Sequence, residues 1–125
     1  MERNPDNEAV PGALVVRVEA ALLYFNVEHV REAVREKIRS SAGPLKLVAF
    51  DLSSSPTVDL AGARMLGALQ AELQGFGLAL RLVGARATVR DILRAEGLEE
   101  RVGHIDRALS LADVIAEFHG NPRMD

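Results

Sequence analysis

Residues 47–74 have the sequence LVAFDLSSSPTVDLAGARMLGALQAELQ, a strand-loop-helix unit that decides the fold. The predicted strand, Leu45–Leu52, carries a run of consecutive apolar residues, which is typical of a strand covered on both faces. A serine-rich turn, Ser53–Thr57, follows the strand. Asp59 is then the predicted N-cap of a helix that extends to about Gln74 and is apolar around most of its girth. We therefore predict that both elements lie in the interior of one domain.

Two short strands and a helix are predicted upstream of this unit. Leu14–Glu19 alternates β-branched residues after a Pro-Gly turn signal, and Leu22–Phe25 is a second short apolar run. Asn26 is the predicted N-cap of a helix in which valine and isoleucine recur at helical spacing as far as Ile38. The opposite face of that helix alternates Glu with Arg, so we expect it to be exposed.

Strands and helices also alternate downstream. We predict a strand at Leu78–Val83, a helix at Thr88–Glu96, a short strand near His104–Ile105 and a last helix capped by Ser110. This alternation favours parallel strands joined by helical crossovers. The predicted fold class is α/β, with a single mixed, mostly parallel β-sheet of four to five strands and about four helices packed on it.

The composition narrows the classes of function. The length of 125 residues fits one domain. A net charge of −3 and an aromatic content of 4% argue against a nucleic-acid partner. The absence of cysteine excludes a disulfide framework and a thiolate nucleophile. The longest apolar run, Ala20–Phe25, is far shorter than the ~20 residues of a membrane-spanning helix, so we expect this polypeptide by itself to be soluble.

Asp51–Gly62 is the segment where a ligand would be sought, because ligands of parallel sheets gather at the carboxyl ends of the strands. The helix start offers N–H groups to an anion, but the carboxylate of Asp59 would already satisfy two of them. A phosphate site and a plain capped helix both stay open, and the N-cap preference favours the cap. Asp51 invites comparison with the phosphoacceptor of response-regulator receivers, but the acidic pair and late lysine of that chemistry are missing. Its predicted role is a turn residue that accepts backbone N–H groups.

No catalytic constellation stands out in the sequence. The three histidines lack the spacing of metal ligands, and no sequence motif places a general base beside the serines at 53–55. Gly75-Phe76-Gly77 lacks the spacing of a dinucleotide-binding loop. We predict that the protein is not an enzyme and holds no metal and no cofactor.

One stretch resembles a known family. Val48–Gly62, VAFDLSSSPTVDLAG, resembles the signature of STAS domains, in which a buried strand precedes Asp-Leu-Ser, a short loop and an Asp-x-x-Gly helix start. In anti-sigma-factor antagonists of this family the residue after that Asp is typically the phosphorylated serine, whereas here it is Leu60. The resemblance implies a STAS fold and a regulatory or partner loop, consisting of Asp51, Ser53, Ser54, Ser55, Thr57, Asp59, Leu60 and Gly62.

Two further segments resemble the STAS domains of bacterial SulP-type anion transporters. Leu22–Glu28, LLYFNVE, is similar to the start of their first helix, and Arg3–Val18 is similar to the linker and first strand after their last membrane helix. The resemblance implies a regulatory and interaction domain of a secondary anion transporter, for sulfate, bicarbonate or a dicarboxylate, on the cytoplasmic side of the inner membrane. It implies a linker at 1–12, a STAS domain at 13–120 and a disordered tail at 121–125.

The implied partner is the transmembrane part of the same transporter, with a homodimer partner or a cytosolic regulator as further candidates. An alternative is a stand-alone partner-switching protein that resembles the anti-sigma-factor antagonists, with Thr57 in place of the missing serine. A third hypothesis is weak nucleotide binding at the same loop, because STAS domains have been proposed to bind GTP or ATP.

Overall fold

Three parallel strands form the sheet in a computed structural model, which describes residues 12–41, 43–103, 105, 112, 114 and 116. The strands are β1 (Ala13–Arg17), β2 (Leu47–Asp51) and β3 (Ala79–Val83), in the spatial order β1-β2-β3. Leu47 is in register with Ala13 on one side and with Ala79 on the other. All five residues of β2 are buried, as the consecutive apolar run predicts for a central strand.

Four helices are described: α1 (Val27–Ser40), α2 (Leu60–Gly75), α3 (Ala87–Ala95) and α4 (Glu99–Val102). The helix α2 contacts each of the other three helices and also β3. Its buried residues lie on most sides of the helix, and they are Gly62, Ala63, Met65, Leu66, Gly67, Leu69 and Leu73. By contrast, α1 buries a single stripe, Val27, Val30 and Val34, and leaves its charged face in water. The core therefore combines β2 and α2 with the buried stripe of α1 and with residues of β3 and α3.

The predicted α/β fold class is confirmed, and the three strands that the structure describes are all parallel. One predicted strand, Leu22–Phe25, is wrong. Only Leu22 pairs, in an isolated parallel bridge with Val58, and the chain then turns into α1. The reason is that Leu22 alone enters the core, while the next residues leave the sheet to reach the helix.

The predicted N-cap role of Asn26 is also wrong in its chemistry. Asn26 precedes α1, but its side chain makes no cap hydrogen bond to that helix. Instead Oδ1 accepts from Leu23 N at 2.9 Å and Nδ2 donates to Ala21 O at 2.8 Å. The amide thus closes the turn that leads into the helix.

The C-terminal predictions are tested only in part. Ile105 is buried and lies outside any strand, and His104 lies outside the described residues. Residues 112, 114 and 116 have helical backbone, and Val114 is buried, in agreement with the predicted last helix. The predicted linker at 1–12 and tail at 121–125 lie almost wholly outside the described residues. None of the helices within the described ranges is long and apolar enough to cross a membrane.

Candidate functional site

Asp51 ends the central strand and is held from two directions. Its Oδ1 accepts from Ser53 N at 2.9 Å, and its Oδ2 accepts from Arg17 Nε at 3.2 Å and Nη2 at 3.0 Å. Burial on its own would raise the pKa of Asp51, but the hydrogen bonds from Ser53 and Arg17 outweigh it, so the pKa lies below its usual value. The predicted turn role is confirmed, and the ion pair with Arg17 on β1 is an addition that local pattern does not reveal.

The serine-rich turn separates into buried and exposed hydroxyl groups. Ser55 is fully buried, and its Oγ donates to Val18 O at 3.0 Å. Ser53 and Thr57 are exposed, and Ser54 is half-buried. Of the predicted hydroxyl residues, Ser55 therefore ties the turn to the end of β1, whereas Ser53 and Thr57 are exposed, with Ser53 bound to Asp51.

Asp59 joins two segments that are far apart in the chain. Its Oδ1 accepts from Gly62 N at 2.9 Å, which caps α2 as predicted. Its Oδ2 accepts from Tyr24 N at 3.0 Å, so the second N–H group belongs to the turn before α1 rather than to α2. The backbone joins the same two segments, since Leu22 N donates to Thr57 O at 2.9 Å and Asp59 N donates to Leu22 O at 3.1 Å. We call this contact between Leu22–Tyr24 and Thr57–Gly62 the junction.

Gly62 lets this junction close. A Cβ atom at this position would lie 2.6 Å from Leu22 O and 2.9 Å from Val58 Cγ1. Real Cβ atoms do not approach a carbonyl oxygen so closely, so any side chain here would push the Leu22 segment away from α2. The glycine of the Asp-x-x-Gly pattern therefore serves the close packing of the Leu22 segment against α2.

Three large apolar side chains are exposed around the junction. Tyr24 is 75% exposed, Phe25 69% and Leu60 47%, and the rings of Tyr24 and Phe25 meet edge to face at 5.5 Å. Asp59 precedes Leu60 and accepts from Tyr24 N, which brings the three residues close together. We call Tyr24, Phe25 and Leu60 the apolar patch.

The sequence predicted Leu60 as a site residue but placed Tyr24 and Phe25 in a strand. The signal available in the sequence was two adjacent aromatic residues directly before Asn26, a residue that favours turns.

The arrangement combines a capped helix start with an exposed apolar surface. Among the described residues, no group of three or more His, Asp or Glu side chains could hold a metal ion. A phosphate at the start of α2, including that of a nucleotide, would meet the carboxylate of Asp59, which already accepts Gly62 N. The exposed apolar patch remains as the feature that a partner would cover.

Replacing Asp59 with alanine is expected to lower the free energy of unfolding by about 1–2 kcal/mol, because the variant loses a helix cap and the bond to Tyr24 N. Urea denaturation measures the loss. Asp59→Asn is the matched control, because an amide oxygen retains the cap, and it should lose less than Asp59→Ala. A loss near zero for Asp59→Ala would show that the carboxylate does not support the junction.

Comparison with known proteins places this geometry in context. A protein-family model described as the STAS domain matches residues 4–112. A probable sulfate transporter of Mycobacterium tuberculosis is 25% identical over 114 residues, which is 91% of this chain and 20% of the transporter. The chain therefore spans about a fifth of the length of the curated relatives it matches.

Two solved structures share the fold. The murine solute carrier 26 family member A9 anion transporter, in its inward-facing state, has a TM-score of 0.76 and 24% identity, over 88% of this chain and 18% of that chain. The anti-sigma factor antagonist SpoIIAA in its unphosphorylated form has a TM-score of 0.72 and 18% identity, over 90% of this chain and 93% of that chain. Both likenesses concern the fold.

Proposed function

The chain belongs to the STAS domain family, and on that premise we propose that it is the regulatory and interaction domain of a secondary anion transporter. The proposal is carried by the alignment of 91% of the chain with a part of a probable sulfate transporter. The anion class that we propose is sulfate, bicarbonate or a dicarboxylate, and the domain lies on the cytoplasmic side of the inner membrane. It acts by binding, with no catalysis of its own.

The exposed residues at the site support a role in binding a partner protein. The residue after Asp59 is Leu60, which carries no hydroxyl group and is 47% exposed beside two exposed aromatic rings. A phosphate ester cannot form on leucine, so the residue adds to an apolar surface where a phosphoacceptor would place a charge. The proposed partner is the transmembrane part of the same transporter.

The native reading frame tests this function directly. We expect the frame to encode several membrane-spanning segments before Arg3, joined to the domain in one polypeptide. Sequencing of the genomic region around the gene provides the measurement. A frame with no membrane segment before Arg3 would contradict the proposal.

A stand-alone partner-switching protein is the second candidate, favoured by a fold shared with SpoIIAA over 93% of that chain. In this role the exposed hydroxyl groups of Ser53 and Thr57 would be the accessible phosphoacceptors, since Ser55 is fully buried. Incubation with a cognate kinase and ATP, followed by mass spectrometry, separates the two functions. Stoichiometric label on Ser53 or Thr57 would favour the switch, and an unlabelled chain would count against it.

A further inference from the structure

Hydrogen bonds fix the backbone that carries the apolar patch. Oδ2 of Asp59 accepts from Tyr24 N, and the amide of Asn26 binds the backbone of Ala21 and Leu23, just before Tyr24. The close approach at Gly62 joins the same turn to α2. A backbone that is already held in this way loses little further conformational entropy when a partner binds.

The charged residues closest to the patch along the chain are mainly acidic. Glu28 lies four residues after Tyr24, in the first turn of α1, with its side chain 81% exposed and a long ion pair to Arg31 at 3.9 Å. Glu19 is exposed five residues before Tyr24, and the carboxylate of Asp59 lies in the junction itself. On the other side Arg64, one turn after Leu60, points towards Glu96 at 3.5 Å. We call the three carboxylates closest to the patch along the chain, those of Glu19, Glu28 and Asp59, its acidic rim.

A second exposed ring, Phe76, offers a contrast. It lines a groove between the C-terminal ends of α1 and α2, together with Ile38, Leu73 and Leu78. The charges at that groove pair with each other, since Arg35 binds Glu72 at 2.8 Å and Arg39 binds Glu32 at 3.0 Å. The groove therefore carries no excess charge of either sign. Its charges do not indicate what kind of partner would bind there.

The acidic rim decides what can cover the patch. A second copy in a symmetric pair would bring the same carboxylates against each other, which is unfavourable. A membrane surface with anionic lipids would be repelled for the same reason. A partner that presents cationic groups around an apolar side chain matches both the patch and its rim.

We propose that the apolar patch and its acidic rim bind a polypeptide segment with an apolar face flanked by lysine or arginine. The inference rests on the proposed function, because it names the chemistry of the partner that an interaction domain would bind. It concerns the chain by itself, so its failure would leave the reading-frame test of the transporter function unaffected.

The test uses the full chain and three synthetic peptides. The first is an amphipathic helical peptide of leucine and lysine, the second has glutamate in place of lysine, and the third has serine in place of leucine. We expect the leucine-lysine peptide to shift the amide NMR signals of Tyr24, Phe25, Glu28 and Leu60, with an affinity that falls as salt rises. The other two peptides should bind at least about tenfold more weakly.

Variants assign the binding to the patch. Phe25→Ser should weaken binding of the leucine-lysine peptide by about tenfold, the effect of removing one large apolar contact. Glu28→Gln should weaken it by about two- to fivefold and reduce its salt dependence. Phe76→Ser is the matched control, because Phe76 is about as exposed as Phe25 but lies at the groove between α1 and α2. The affinity of this variant for the leucine-lysine peptide should not change. Dispersed amide spectra show that each variant is folded.

Four results of the peptide experiments would overturn the proposal. These are an affinity that Phe25→Ser leaves unchanged, equal binding of the glutamate peptide, shifts that centre on Phe76, and no binding of the leucine-lysine peptide at millimolar concentration. Sedimentation and vesicle binding address the other occupants. A dimer that Phe25→Ser dissociates would assign the patch to a second copy, and binding to phosphatidylglycerol vesicles that the same variant abolishes would assign it to a membrane.

Discussion

Alanine at Gly62 is expected to lower the free energy of unfolding by about 3 kcal/mol, although alanine is the better helix former. The added Cβ would lie 2.6 Å from Leu22 O, so the Leu22 segment must move away from α2. That movement strains the bridge between Leu22 and Val58 and the bond from Asp59 to Tyr24 N. Urea denaturation followed by circular dichroism measures the loss.

Gly75, at the other end of the same helix, is the matched control. A Cβ at this position would have no atom within 4 Å, so Gly75→Ala should stabilise the domain by up to about 1 kcal/mol. The two substitutions are chemically identical and should have opposite signs. Equal effects at Gly62 and Gly75 would mean that the junction is looser than the geometry indicates.

Replacing Asp51 with asparagine is expected to lower the free energy of unfolding by about 2–3 kcal/mol at neutral pH. The side chain keeps its shape, but Arg17 loses its charged partner. In the native protein Nη2 of Arg17 lies 3.0 Å from Oδ2 of Asp51, and the Asp51 side chain is only 6% exposed. Arg17 is 25% exposed, so water compensates part of the loss, and the cost lies below that of a fully buried pair. Chemical denaturation of the two proteins in parallel measures it.

The cost of Asp51→Asn should depend on pH in a defined direction. The pKa of Asp51 is lowered in the folded protein, so the unfolded chain takes up a proton at a higher pH than the folded one. The stability that the carboxylate contributes is therefore complete above the unfolded pKa of about 3.9 and is lost as the pH falls through the folded pKa. The difference between the two proteins should be constant from about pH 7 to about pH 5 and should shrink below about pH 4.

Glu32→Gln on α1 serves as a control for this pH dependence. Glu32 also pairs with arginine, and hydrogen bonds from Arg39 and Arg35 lower its pKa, but its side chain is 57% exposed. Water and salt screen such pairs, so this variant should lose much less stability than Asp51→Asn. A pH-independent difference for Asp51→Asn would show that the ion pair with Arg17 does not form in solution.

The local sequence pattern was sufficient to predict the elements whose own residues carry a strong signal. The consecutive apolar residues of β2 predict a buried central strand, and Asp59 before an apolar helix predicts the cap of α2. The same kind of signal fails at Leu22–Phe25, where four consecutive apolar residues resemble a strand. Whether such residues pair depends on the segment beside them, and here only Leu22 reaches Val58.

The sequence by itself determined the α/β class, the central strand and the position of the loop that begins at Asp51, because periodicity, capping and turn preferences act between near neighbours. Only the tertiary structure decided what that loop does. It brought Tyr24 N to Asp59, 35 residues away, and it paired Arg17 with Asp51 across 34 residues. It also left Tyr24 and Phe25 exposed beside Leu60, because Leu22 and Val58 already occupy the core at the junction. Contacts over such distances depend on how the elements pack, and local sequence patterns do not contain that information.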